Sequence, residues 1–376
     1  MLKDHKCIVF AIEHYNPLGI VRSLGREGIF PDVIAVKGKA PVVTSSRYVQ
    51  KYFYAETVAE GYQILLKEYV KECDSQKKPV VYCSDDKTIG YLDLHYDEIK
   101  DKFIFFQAGC QGRIHKYMDK YNILECARKY GLNTLDACVC RKGEIPEHLS
   151  YPVITKAITP NTGGWKSDVH ICESKEELEK AYLSIQAETV LIQKYIDKKN
   201  EYCLEGFSIH KGQDIFISIA STYNYLLKGY YSPCMTVKNM DDEFLKQALG
   251  DVLKETGFEG IFEIEFLIGQ DDTLYFSEIN FRNSTWSWAS TIAGMNLPVL
   301  WGESMLQDAI GDIYQKLPEN FTGMVEPIDY GKRVETGMIT CAQWLSEFKN
   351  ADVTYYYDKQ DMEPFYVMME NRVLLS

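Results

Sequence analysis

No stretch of the 376-residue chain approaches the roughly 18 consecutive apolar residues of a membrane span. Glu13 and His14 cut short the apolar run in the opening MLKDHKCIVFAIEHYNP, so no secretory leader is expected either. Positive charge is scarce: 41 Lys and Arg against 54 Asp and Glu leave a net charge of -13. Nucleic-acid binding rests on a basic surface, and this balance argues against it. It leaves room for a small anion in a locally basic cleft. The eleven cysteines are scattered, with no CxxC and no histidine pair at zinc spacing. Only Cys138 and Cys140 stand close together. Free buried thiols in a reducing cytoplasm account for them. The seven histidines form no local motif, so nothing points to a Ser/His or Cys/His nucleophile pair. Internal repeats and low-complexity segments are absent.

What is present is a chain 46% hydrophobic and 25% charged, long enough for two or three structural units. CIVFAI (7–12) predicts a strand, and LGIVRSLGREGI after it a helix ending near Gly28. DVIAVKG (32–38), KYFYA (51–55) and PVVYCS (79–84) predict further strands, with a helix over 57–73. This alternation predicts a parallel α/β sheet. Gly19, Gly25 and Gly28 do not make GxGxxG, and tight helix packing explains them better than a dinucleotide site.

The pattern changes near 113. A helix is expected over 115–131, then strands near 134–140 and 152–156. The polar glycine loop PNTGGWKSD (160–168) comes next, with a short strand at 169–172. Ser174 and Glu177 open a helix as a capping box, and TVLIQKYI (189–196) predicts a strand. Alternating segments from 201 to 237 predict an antiparallel sheet. A helix over 241–256 leads to the strands 260–269 and 273–281, joined by Gln270-Asp271-Asp272.

The stretch FSEINFRNS (276–284) alternates Glu278, Asn280 and Arg282 with Ile279 and Phe281, the period of a half-buried strand. The three polar side chains then share one face, about 7 Å from one to the next. Such a face is either solvated or a row of ligands. The hairpin favours ligands, because Glu265 on its first strand can converge with Glu278 and Asn280 on its second. Two carboxylates and an amide suit a hard cation such as Mg²⁺, which takes its remaining ligands from water and phosphates. Arg282 can hold a phosphoryl or carboxylate oxygen through its fork of donors. Glu263 is expected to be only the polar side of an edge strand.

These residues resemble the ATP-grasp superfamily. Glu265-Phe266 followed by Glu278-Ile279-Asn280-x-Arg282 is similar to its metal-and-phosphate motif E-x-N-P-R, with Phe281 in place of the proline. STWSWASTIAGMNLPVLW (284–301) looks like the helix that follows this motif in carbamoyl-phosphate-synthase-like members. Upstream, Asp119-Lys120 resembles the opening of the first ATP-grasp helix, whose lysine reaches phosphate. YPVITKA resembles the strand whose lysine, here Lys156, contacts the α-phosphate. PNTGGWKSD would be the loop over the phosphates, with Gly163, Gly164 and Lys166 as donors. LIQKYI resembles the adenine-reading hinge, with Gln193, Lys194, Tyr195 and Ile196 at the contact. Glu201 would bind the ribose hydroxyls, with Glu205 as the alternative. The N-terminal NPLGIVRSLGREGI, SSRYV and YCSDD resemble the pre-ATP-grasp domain of carboxylate–amine ligases such as D-aspartate ligase.

The resemblance implies a mixed α/β and α+β architecture. An N-terminal parallel α/β pre-ATP-grasp domain (1–112) would precede an ATP-grasp module of lid (113–195) and antiparallel-sheet catalytic core (196–320). A C-terminal extension (321–376) would pack on the core. It implies an enzyme using ATP with Mg²⁺, or Mn²⁺ in its place. A small-molecule carboxylate would attack the γ-phosphorus, and an amine would attack the resulting acyl phosphate. Glu265, Glu278 and Asn280 would be the metal ligands; Arg282 and Lys156 the catalytic cations; Lys120 and Lys166 further phosphate partners. The alternatives are an ATP-dependent carboxylase or carbamoyl-phosphate-type enzyme acting on bicarbonate, and a catalytically silent nucleotide-binding regulator. Expected partners are small molecules and a second copy of the chain, with neither nucleic acid nor membrane, in the cytoplasm.

Overall fold

A computed structural model describes residues 1–70, 77–159, 165–227 and 231–375, without the side chains of 165, 166 and 372–375. Three sheets organise it. The first is parallel throughout and built from β1 (Cys7–Ile12), β2 (Asp32–Val36), β3 (Lys51–Ala55), β4 (Val80–Tyr82) and β5 (Ile104–Phe105). Its order is β3-β2-β1-β4-β5, so the direction of winding reverses between β1 and β4. Both strands are wholly apolar runs because both faces of the sheet are covered.

The first helix, Tyr15–Arg26, needs its glycines for close contact. A Cβ at Gly25 would lie 2.2 Å from the Tyr48 ring, and Gly28 ends the segment at φ +74. The helix expected over 115–131 is two, Arg113–Met118 and Lys120–Lys129. Asp119 breaks it: its extended backbone lets its carboxylate cap the N–H groups of Tyr121 and Asn122.

A four-stranded antiparallel sheet follows, from β6 (Ala137–Arg141), β7 (Val153–Ala157), β8 (His170–Cys172) and β9 (Thr189–Lys194), in the order β6-β9-β7-β8. It has a small core of its own around Leu178, Val190 and Ile192. Ser174 caps the helix Lys175–Ala181 through the Glu177 N–H, but the Glu177 side chain accepts from Glu173 rather than from Ser174.

The third sheet has seven strands: β10 (Asn200–Ile209), β11 (Asp214–Tyr223), β12 (Cys234–Lys238), β13 (Gly260–Ile268), β14 (Leu274–Asn280), β15 (Phe321–Met324) and β16 (Val353–Thr354). Its order is β14-β13-β10-β11-β12-β15-β16, antiparallel except for the last pair. Residues after 320 therefore supply two of the sheet's own strands. One hydrophobic core joins this sheet to the parallel one, with Trp301 edge-on to both Tyr82 and Phe106.

The C-terminal segment also reaches back to the first helix. Arg22, fully buried, donates to Asp361 Oδ2 at 2.9 Å and to the carbonyls of Tyr355 and Tyr356. Asp361 in turn accepts from Ser46 Oγ and the Arg47 N–H. No helix among the described residues is long and apolar enough to cross a membrane.

Candidate active site

A cleft of about 860 Å³ opens between the four-stranded sheet and the β13–β14 hairpin. Ile279 on β14 and Phe281 just after it face the core, where Phe281 packs edge-on against Phe258. The alternation therefore turns Glu278, Asn280 and Arg282 into the cleft. The hairpin register sets Glu265 opposite Glu278 and Glu263 opposite Asn280. The row is a wall of the cleft.

Hydrogen bonds fix that wall. Asn280 Nδ2 donates to Glu263 Oε2 at 2.9 Å and to Glu265 Oε1 at 2.8 Å, and its Oδ1 accepts from Arg282 Nη2 at 3.0 Å. Arg282 Nε donates to Asp86 Oδ1 at 2.7 Å, just beyond the end of β4. Lys120, at the start of its helix, pairs with Glu278. Lys156 on β7 donates to Gln193 Oε1 on β9 at 2.9 Å.

The charges are strongly perturbed. Burial, then Glu278, Glu263 and Glu201, push the Glu265 carboxyl well above its usual range. Burial works upward on Glu278 too, but the Lys120 ammonium outweighs it and holds Glu278 low. Burial and then the neighbouring Lys120 bring Lys156 down to about 8. The cluster is thus an acidic wall seeking a cation, opposite lysines seeking an anion.

Hard oxygen donors and an uncompensated carboxylate fit Mg²⁺, and the ammonium already sitting on Glu278 shows that this oxygen takes positive charge. Among the described residues no three His, Cys, Asp or Glu donors converge on one point. Two carboxylates with phosphate oxygens make a more typical magnesium site than an all-protein cage.

Residues 132–301 match the family described as the carbamoyl-phosphate synthase L chain, ATP binding domain. The chain has the ATP-grasp fold. Solved structures share the fold. N5-carboxyaminoimidazole synthetase from Staphylococcus aureus is 15% identical, with a TM-score of 0.63, covering 88% of this chain and 85% of that one. The biotin carboxylase domain of Hydrogenobacter thermophilus 2-oxoglutarate carboxylase is 16% identical, with a TM-score of 0.64 over 83% and 72%. L-amino acid ligase from Bacillus licheniformis is 14% identical, with a TM-score of 0.59 over 81% and 74%. No curated protein sequence gave a significant match. The expected ATP-grasp fold is borne out, and the matched ATP-binding domain agrees with the expectation of an enzyme of this kind.

Within the ATP-grasp cleft, Lys120, Lys156, Gln193, Lys194, Tyr195, Ile196, Glu201, Glu265, Glu278, Asn280 and Arg282 all line the cavity. The hinge backbone is partly committed. The N–H of Lys194 donates to Asp136 O at 2.7 Å and that of Tyr195 to Pro152 O at 2.9 Å, and the Lys194 ammonium binds the Tyr151 carbonyl at 2.8 Å. The Gln193 side chain is buried on Lys156. Ile196 is then the hinge position whose N–H the fold does not use among the described residues. Glu201 pairs with Lys198 at the cleft edge. Glu205 does not reach the cleft: it is fully buried and accepts from Ser284 and, at 2.6 Å, from Ser287. Gly163, Gly164 and the Lys166 side chain lie outside the described residues.

Glu263 corrects the sequence expectation. β13 is an interior strand between β14 and β10, and Glu263 is only 7% exposed. Burial and then Glu205 push its carboxyl up to about 8. Its Glu-x-Glu spacing with Glu265 was the available signal, masked by the assumption of an edge strand. Trp286 and Trp288 are core side chains, the latter donating to Thr354 O at 3.1 Å.

Proposed function

We propose that the protein is an ATP- and Mg²⁺-dependent carboxylate–amine ligase of the cytoplasm, acting on small molecules through an acyl phosphate. Arg282 carries the proposal. Its guanidinium spans Asn280 in the nucleotide cleft and Asp86 beside the point where the parallel sheet reverses. Open α/β sheets take ligands in that crevice. An organic carboxylate held by Arg282 would then lie beside the phosphate it attacks.

Residues of this chain would each do one task. Ile196 and the backbone of Gln193–Tyr195 would seat the adenine, and Glu201 the ribose. Lys120, Lys156 and Lys166, with the amides of Gly163 and Gly164, would neutralise and align the phosphates. Lys120 would leave Glu278 to do so. Glu265, Glu278 and Asn280 would hold Mg²⁺, or Mn²⁺, whose charge further neutralises the phosphates. A carboxylate oxygen of the substrate bonds to the γ-phosphorus as the bond to ADP breaks. The amine nitrogen then bonds to the acyl carbon, phosphate leaves, and the nitrogen gives its proton to solvent. In this division residues 113–195 close over 196–320, while 1–112 and 321–376 frame the acceptor, and the protein works as a homodimer.

Bicarbonate is the second candidate substrate, favoured by the likeness to N5-carboxyaminoimidazole synthetase and to a biotin carboxylase domain solved with MgADP and bicarbonate. Release of ADP from ATP, measured with pools of acids and amines and separately with bicarbonate and amines, tests both. Dependence on an organic acid supports the ligase; dependence on bicarbonate replaces it. Nucleotide binding without ADP release in any pool would identify a silent regulator.

A further inference from the structure

The four-stranded sheet holds a pair of groups that the nucleotide chemistry leaves unused. Cys138 and Cys140 occupy positions i and i+2 of β6, on one face, with their Sγ atoms 3.8 Å apart. Both are free thiols, Cys140 buried among Tyr182, Ile145 and Leu149, and Cys138 half-buried. Among the described residues β6 is an edge strand, paired with β9 alone. Cys138 lies opposite Ile192, Cys140 opposite Val190, and the adjoining Ala137 opposite Gln193. Gln193 is the residue that holds Lys156 in the cleft.

We propose that Cys138 and Cys140 are a redox modification site, closing to a reversible disulfide on exposure to a peroxide and thereby weakening nucleotide binding through β9. The half-buried Cys138 meets the oxidant first. Its sulfur bonds to one peroxide oxygen as the O–O bond breaks, giving a sulfenic acid and water. The Cys140 thiol then attacks that sulfur, forms the S–S bond, and expels a second water. Two thiols are oxidised by two electrons, and one peroxide is reduced to two waters. Burial shields the Cys140 thiol from the oxidant and leaves the first step to its half-buried partner.

The geometry permits the link at a cost. Two residues of strand span about 6.6–6.8 Å, at the upper end of the roughly 4.4–6.8 Å between Cα atoms that a disulfide allows. Bringing the sulfurs to about 2 Å must therefore pucker the strand. An edge strand can pucker, because among the described residues its outer side carries no ladder to break. Its inner side does, so the distortion passes into β9 and toward the hinge. A strained link of this kind is readily reduced again.

The effect on nucleotide rests on the ATP-binding cleft; the disulfide does not. Protein with Cys73, Cys110 and Cys341 changed to serine is treated with hydrogen peroxide and then with dithiothreitol. Loss of two hydrogen atoms by mass, mapped to one peptide holding Cys138 and Cys140, supports the site. ADP binding by calorimetry should weaken about three- to tenfold on oxidation and recover on reduction. Cys138→Ser should show neither change. Persistence of both thiols, or oxidation of Cys138 to a sulfinic acid, overturns the site. A disulfide with unaltered ADP affinity overturns the coupling. Absence of ADP binding in the reduced protein would fail the ATP-binding role of the cleft, while the mass result would still decide the disulfide.

Discussion

Asn280 and Glu263 face each other across the β13–β14 hairpin, with the amide nitrogen 2.9 Å from the carboxylate oxygen. Both amide hydrogens of Asn280 are taken by carboxyl groups, so its oxygen is left to point at Arg282 and any cation beside it. Glu263 thus sets which end of Asn280 faces the cleft. Glu263→Gln keeps an acceptor and should retain most activity. Glu263→Leu removes it, and should cost about 1–3 kcal/mol of stability. It should also raise the Mg²⁺ concentration needed for half-maximal ADP release by about tenfold, one lost hydrogen bond. An unchanged Mg²⁺ dependence would make Glu263 a purely structural residue.

Glu278→Gln tests the wall directly. A carboxamide keeps the shape but not the charge, so acid-dependent ADP formation should fall by about 100-fold or more. Arg282→Lys should also fail substantially, because an ammonium cannot bridge Asp86 and Asn280 as a planar fork does. Denaturation curves run alongside separate lost chemistry from lost folding. Normal turnover in both variants would reduce EINFR to a plain sheet face.

Lys156 should make both stability and binding depend on pH. Its ammonium titrates at about 8 in the fold against 10.5 for an unperturbed lysine, chiefly because it is buried and then because Lys120 is near. Between those values the unfolded chain binds more protons, so this residue's cost is complete below pH 8 and fades as pH rises toward 10.5. Lys156→Met should therefore stabilise the empty protein more at pH 7 than at pH 10. A bound phosphate favours the ammonium, so ATP binding near pH 8.5 should take up a proton in the parent and not in the variant. Calorimetry in two buffers of different ionisation enthalpy measures that uptake directly.

Arg22 and Asp361 are fully buried partners, and removing one leaves the other as an uncompensated charge. Arg22→Met should lower unfolding free energy by about 3–5 kcal/mol in urea titrations. Adding Asp361→Leu should recover part of the loss. No recovery would mean that the carbonyls of Tyr355 and Tyr356, which Arg22 also binds, dominate the clasp.

Much of this was legible in the chain itself. The apolar runs 7–12 and 51–55 are strands with the expected bounds, since burial on both faces or a simple edge leaves a local pattern. The alternation of Glu278, Asn280 and Arg282 was equally local, because the period of a strand is two. The break at Asp119 was harder to read, as a capping aspartate inside a helical pattern looks like any polar position. Glu263 was misread because its burial depends on β10 lying beside β13, and neighbours in a sheet are chosen by chain segments far apart. Arg282 meets Asp86 across 196 positions, and Arg22 meets Asp361 across 339. Local periodicity thus determined which side chains share a face. Only tertiary packing decided what those faces meet, because desolvation and charge pairing act through space and leave no mark on sequence spacing.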